Sequence, residues 1–108
     1  MVYCDAEDVR LVCGVAENVI SSGDIGGLIV FSDQKIDDAV GSFEDPVPTR
    51  IQRLSALLTS IQIYSRPDLR SRLGRAGIDK QQIEKNLDRW QAEADEIFEF
   101  RFKANGRF

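Results

Sequence analysis

The sequence contains no histidine. That absence removes the Ser-His and Cys-His nucleophile pairs and every histidine-ligated metal site. Only two cysteines are present, Cys4 and Cys13, and two thiolates cannot complete the four-ligand shell of a structural zinc. If both lie on or beside one short helix, nine steps of about 100° point them in roughly opposite directions. The expectation is therefore two free, partly buried thiols in a reducing compartment. Proline is sparse and glycine ordinary, 3 and 8 residues, which excludes collagenous and low-complexity chains. The longest uninterrupted apolar run, residues 28–31, is far too short to span a bilayer, so no membrane partner is expected. Residues 1–8 carry neither the basic nor the apolar region of a secretory signal.

What is present is an ordinary globular balance: 108 residues, 43% hydrophobic and 30% charged. This size predicts a single domain over residues 1–108, with one hydrophobic core. The net charge of −4 conceals an uneven distribution. Residues 1–48 hold ten acids and only two bases, Arg10 and Lys35, a balance of −8. From Thr49 onward twelve bases stand against eight acids, a balance of +4. The steepest part holds Arg50, Arg53, Arg66, Arg70, Arg72 and Arg75 against one acid, Asp68. Three readings fit such a pattern: a phosphate-contacting segment, a solvated face that neutralises the acidic half within the same fold, or an acidic half that meets the basic half of a second copy. The third makes Asp37, Asp38, Arg66, Arg70 and Arg72 candidate subunit-interface residues.

Periodicity predicts a mostly α, four-helix domain. Asp5 and the acids after it open a short first helix with Val9, Leu11 and Val12 on its buried side, and Gly14 stops it. After a connector, residues 21–24 cap a second helix in which Ile25, Leu28, Ile29, Ile36 and Val40 keep three-and-four spacing, with Asp33, Asp37 and Asp38 on or near the outer side. Residues 28–31 read alternatively as a buried strand. A loop with Asp-Pro and Val-Pro steps follows Gly41. The clearest element comes next: Ile51, Leu54, Leu57, Leu58, Ile61 and Tyr64 stripe a central core helix, with Ser60 and Gln62 mostly off the stripe, and Pro67 ends it. Residues 67–77 form an Arg-rich piece with about one helical turn around Leu69 and Leu73. Asp79 caps a last helix with Ile83, Leu87, Trp90, Ala94 and Ile97 at near-heptad spacing. Then the period changes: Phe98, Phe100 and Phe102 alternate with Glu99, Arg101 and Lys103, as in a short terminal strand. That segment reads as a strand pairing with residues 2–4, as a strand or tail added to a neighbouring subunit, or as a continued helix. Five of the nine aromatics fall in the last nineteen residues.

No catalytic constellation emerges, and neither an enzyme nor a cofactor is expected. The adjacent pairs Asp37-Asp38 and Glu44-Asp45 diverge or lie in a loop, where nothing shifts a carboxylate toward acid-base work. The glycines at 23, 26 and 27 lack the Lys-Ser/Thr of a phosphate loop, and residues 33–38 lack the glycine and terminal glutamate of an EF-hand. A helix-turn-helix over residues 5–27 would lead with an acidic second helix that repels phosphate, so any DNA contact falls to Arg66, Arg70, Arg72 and Arg75.

The order of signals resembles a family. Tyr3 followed by Asp-Ala-Glu-Asp-Val-Arg (5–10), Ser-Gly-Asp-Ile-Gly-Gly-Leu-Ile (22–29), Lys-Ile-Asp-Asp-Ala-Val-Gly (35–41), and a helix Pro48-x-x-Ile51-x-x-Leu54-Ser55 ending Ile63-Tyr64-Ser65-Arg66 is similar to the head-tail connector (adaptor) proteins of tailed bacteriophages and archaeal tailed viruses. The likeness runs over residues 2–66. In the second helix Val30-Phe31-Ser32-Asp33 departs from a more Ala-rich stretch. The resemblance implies a helical virion protein of the capsid neck, assembled in the host cytoplasm into a ring, commonly of twelve copies. The ring would join a portal protein to a tail or stopper protein, with DNA passing through its lumen without sequence-specific binding. It also implies that the terminal segment docks on the portal, making Phe98, Phe100, Arg101, Phe102 and Phe108 the partner-binding residues. A small helical DNA-binding or regulatory protein is the alternative.

Overall fold

The computed structural model describes residues 2–44 and 46–104, with backbone alone for 100–104. Five helices follow one another: α1 (Ala6–Cys13), α2 (Ser22–Val40), α3 (Thr49–Ser65), α4 (Pro67–Arg75) and α5 (Lys80–Ala104). Their ends are chemically specified. The Asp5 carboxylate accepts from the Asp8 N–H at 2.9 Å while the Asp8 carboxylate accepts from the Asp5 N–H at 3.1 Å, a reciprocal cap that opens α1. Gly14 closes α1 at φ 70°, a left-handed conformation that costs glycine little. The Ser21 hydroxyl accepts from the Asp24 N–H at the start of α2, and Asp79 and Gln82 form a second reciprocal cap at the start of α5. Pro67 sits at the first position of α4, where its missing N–H leaves no bond unmade.

Helix α3 is the centre. It packs against α1, α2, α4 and α5, and Ile51, Leu54, Leu57, Ile63 and Tyr64 are buried with Ser55, Thr59 and Ser60 among them. Each large apolar side chain removed from water contributes about 1.5–3 kcal/mol. On the α5 side the Tyr64 and Trp90 rings meet edge to face, centroids 4.7 Å apart, and the Tyr64 hydroxyl donates to the Cys13 carbonyl at 3.0 Å. The heptad-like series on α5 is core as expected: Ile83, Trp90, Ala94 and Ile97 are buried and Leu87 packs against them.

Several expectations are corrected. The Arg-rich piece is a nine-residue helix of its own, α4. Residues 28–31 are helical, as the three-and-four spacing predicts, and the alternative strand there is ruled out. There is no strand among the described residues: the alternating phenylalanines lie on α5, which continues through residue 104. Residues 2–4 lie outside regular structure, and the Tyr3 N–H is taken by the Asp33 carboxylate at 2.8 Å. Asp33 is accordingly buried rather than outward, and so is Ser60, whose hydroxyl bonds back to the Ala56 carbonyl. Leu11, expected in the core, is 80% exposed, because α1 turns Val9, Cys13 and parts of Ala6 and Val12 inward.

Candidate functional site

The charge map resolves in three dimensions into distinct surfaces. Helix α4 with its cap residue holds Arg66, Arg70, Arg72 and Arg75 against Asp68. Leu69 and Leu73 anchor it to the core, which turns Ser71, Arg72, Gly74 and Arg75 to solvent. Arg70 is half-buried and its Nε donates to the Tyr64 carbonyl at 2.9 Å, closing the end of α3. Arg72 makes one long bond, 3.4 Å, to the Val19 carbonyl. The side chains of Arg66 and Arg75 form no hydrogen bond or ion pair among the described residues. Two clefts border this ledge. One of about 380 Å³ is lined by Asn18, Val19, Arg72, Arg75 and Ala76. The other, about 280 Å³, brings Asp24 and Leu28 of α2 beside Arg66, Leu69 and Arg72.

Helix α2 presents the opposite charge. Asp24 stands at its α4 end, and Asp37 and Asp38 stand about 20 Å further along at 1.5 Å per residue. Asp38 is exposed, bonded only to Gln34 at 3.2 Å. Asp37 is half-buried and accepts a hydrogen bond from the Tyr3 hydroxyl. Between these ends, Val30 and Phe31 are 59% and 65% exposed. The two ion pairs described, Arg10 with Glu17 and Arg53 with Glu93, join neither α2 to α4 nor one charge half to the other. The carboxyl of Glu17 is lowered mainly by hydrogen bonds from Ser22, and that of Glu93 mainly by the Arg53 guanidinium.

Beneath α2 lies a polar cluster that ties the chain start to the core. Asp33 accepts from the Tyr3 N–H at 2.8 Å and from the Ser55 hydroxyl at 2.6 Å, and Ser55 lies 3.2 Å from the Cys4 sulfur. The Phe43 N–H donates to the Tyr3 hydroxyl at 3.0 Å. Burial raises the Asp33 carboxyl above its ordinary value in spite of both bonds. It also pushes the Cys4 thiol up to about 11, and raises Cys13, Tyr3 and Tyr64. A thiol held protonated is a poor nucleophile. The second buried network, where Gln62 reaches Ser32 at 2.7 Å and the Leu28 carbonyl at 3.1 Å, is likewise satisfied internally. These are structural bonds.

The expected interface residues divide by place. Arg66, Arg70 and Arg72 gather at α4, while Asp37 and Asp38 sit at the far end of α2. Phe98 is half-buried against the core, facing a cleft of about 210 Å³ with Lys35, Leu58, Ile61, Gln62 and Gln91. The side chains of Phe100, Arg101 and Phe102, and the whole of Phe108, lie outside the described residues. In the sequence Val30 and Phe31 stand out only as part of the stretch 30–33 that departs from a more Ala-rich pattern, and not as an exposed pair. Its signal was its position, on the helix side opposite Ile25, Ile29 and Ile36. Among the described residues no three cysteines or acids converge as a metal ion requires, and no helix is long and apolar enough to cross a membrane. Comparison with protein families, with curated proteins and with solved structures gives no match.

Proposed function

We propose that this chain is a non-enzymatic structural adaptor of the head-tail connector type. Its subunits join head to tail into a ring between a portal protein and a tail or stopper protein, and duplex DNA passes through the lumen without sequence-specific binding. One observation carries the self-assembly: among the described residues the exposed arginines of α4 and the exposed Asp38 at the far end of α2 form no ion pair, Asp38 meeting only the neutral Gln34 and Arg72 only the Val19 carbonyl. Charges so placed favour two different faces on one subunit, the requirement for a heterologous contact that closes a ring. The order of motifs over residues 2–66 supports the connector assignment, and the phenylalanines at the end of α5 are its portal-docking residues.

The unpaired arginines also favour a second reading, a small helical protein that holds nucleic-acid phosphate on α4. Size-exclusion chromatography with light scattering, with and without portal protein, separates the two. A connector yields a ring-sized species or a portal complex. A strict monomer that binds duplex DNA with a steep salt dependence is the result that overturns the adaptor assignment.

A further inference from the structure

We infer that the outer strip of α2, centred on Phe31, docks on the outer face of α4 of a second copy of this chain; this rests on the assembly proposed above and names the surfaces that meet. On α2 the residues Gly27, Val30, Phe31, Gln34 and Asp38 recur at three-and-four spacing and all are exposed. They form one strip opposite the buried Ile25, Ile29 and Ile36. Glycine within a helix is unfavourable relative to alanine, yet a Cβ at Gly26 or Gly27 would meet no atom of its own chain within 4 Å. Packing inside the subunit therefore does not ask for small residues there. A chain laid against the helix from outside does.

The charge of the strip selects the occupant. A symmetric α2–α2 pairing in antiparallel register would set acid against acid, since Asp24 and Asp38 end the strip. The described part of α5 is acidic as well, six acids to three bases through residue 99. Helix α4 has the complementary sign and shape: Ser71 and Gly74 are exposed small residues, a Cβ at Gly74 meets nothing within 4 Å, and Arg72 and Arg75 flank them. In the docked pair Phe31 lies over Ser71 and Gly74, and Asp38 comes within reach of an arginine of the second copy. Because the two strips differ and belong to different parts of the fold, each subunit keeps one of each free for the next.

The test is a disulfide trap. In the double variant Q34C/S71C the native Cys4 and Cys13 are buried, so mild oxidation reports on the new pair. The expected result is a ladder of covalent oligomers on non-reducing gels that collapses on reduction, with neither single variant giving a ladder. F31S should shift wild-type light-scattering mass toward the monomer, while D38R with R72D restores part of what D38R alone loses. A Q34C single variant that dimerises overturns the α4 assignment in favour of α2–α2 pairing. Duplex DNA that shields S71C from a maleimide on a monomeric chain overturns it in favour of a phosphate-binding face. Rings that form normally while Q34C/S71C gives no ladder overturn this contact and leave the adaptor function standing. A ladder from a chain that ignores portal protein keeps the contact and removes that function.

Discussion

Asp33 shows how much a single residue does in this fold. Its carboxylate is the node through which the first residues of the chain reach α2 and α3, holding the Tyr3 N–H and the Ser55 hydroxyl at once. Truncation in D33A leaves both donors without an acceptor, and urea unfolding should show a loss of about 1–3 kcal/mol. The asparagine variant keeps a carbonyl for Tyr3 and an amide for Ser55, so D33N should lose less than D33A. The pH dependence has a definite sign. Burial raises the folded carboxyl above its unfolded value, outweighing the bonds from Ser55 and Tyr3, with Asp37 adding to the rise. Between those two values the folded state binds the extra proton, so the contribution of Asp33 is full below the unfolded value and declines as pH rises through the folded one. D33N removes that decline, and its stability relative to wild type should therefore improve between acidic and neutral pH. Tyr3, Cys4, Ser55 and Asp37 face the same carboxylate. Cys4, held up at about 11, should react with a thiol reagent only as fast as the protein opens. In the sequence Asp33 looks solvated because acids are rarely buried. Its position, four after Ile29 and three before Ile36, placed it on the inner stripe all along.

At the scale of elements, legibility followed the length and regularity of the pattern. The α3 stripe, the α5 heptads, the Asp5 and Asp79 caps and the glycine stops could all be read, because each is a local signal with a single geometric solution. The end of α5 was ambiguous for a physical reason. Three alternating phenylalanines satisfy a strand, but a strand needs a ladder partner, and residues 2–4 are already committed to Asp33 and Ser55. Extending an existing helix asks only one new bond per residue. The tail is separable at a definite place. Ala94 and Ile97 are buried, so a chain ending at Phe98 should unfold as cooperatively as the full one by circular dichroism while failing to bind portal protein. Ending at Glu93 should instead abolish the cooperative transition. Within α5, W90A removes the ring against Tyr64 and should cost about 3–5 kcal/mol in urea unfolding.

Across the whole molecule, the split between −8 and +4 was visible in the sequence, but its placement was not. Linear sequence counted α5 with the basic half, although its described part is acidic, and it could not show that α4 is left uncovered on one side. Only the packing separates the arginines that cap carbonyls, such as Arg70, from those held in reserve, Arg66 and Arg75. Reversing R66E, R72E and R75E together should therefore abolish self-association in light scattering while shifting the thermal midpoint by only a few degrees, since exposed charges contribute little to stability.

The enclosure of α3 has a consequence for how subunits would reach the proposed assembly. This helix has no side-chain cap bond at its start, and its buried surface is shared among four neighbours. Most of the packing between helices runs through it, with smaller contacts joining α2 to α1 and to α5, and it gains little until its neighbours dock. Such a chain should unfold in a single cooperative transition. The proposed ring would then receive its components either finished or unfolded, and the quality of each contact would be decided before the encounter rather than during it.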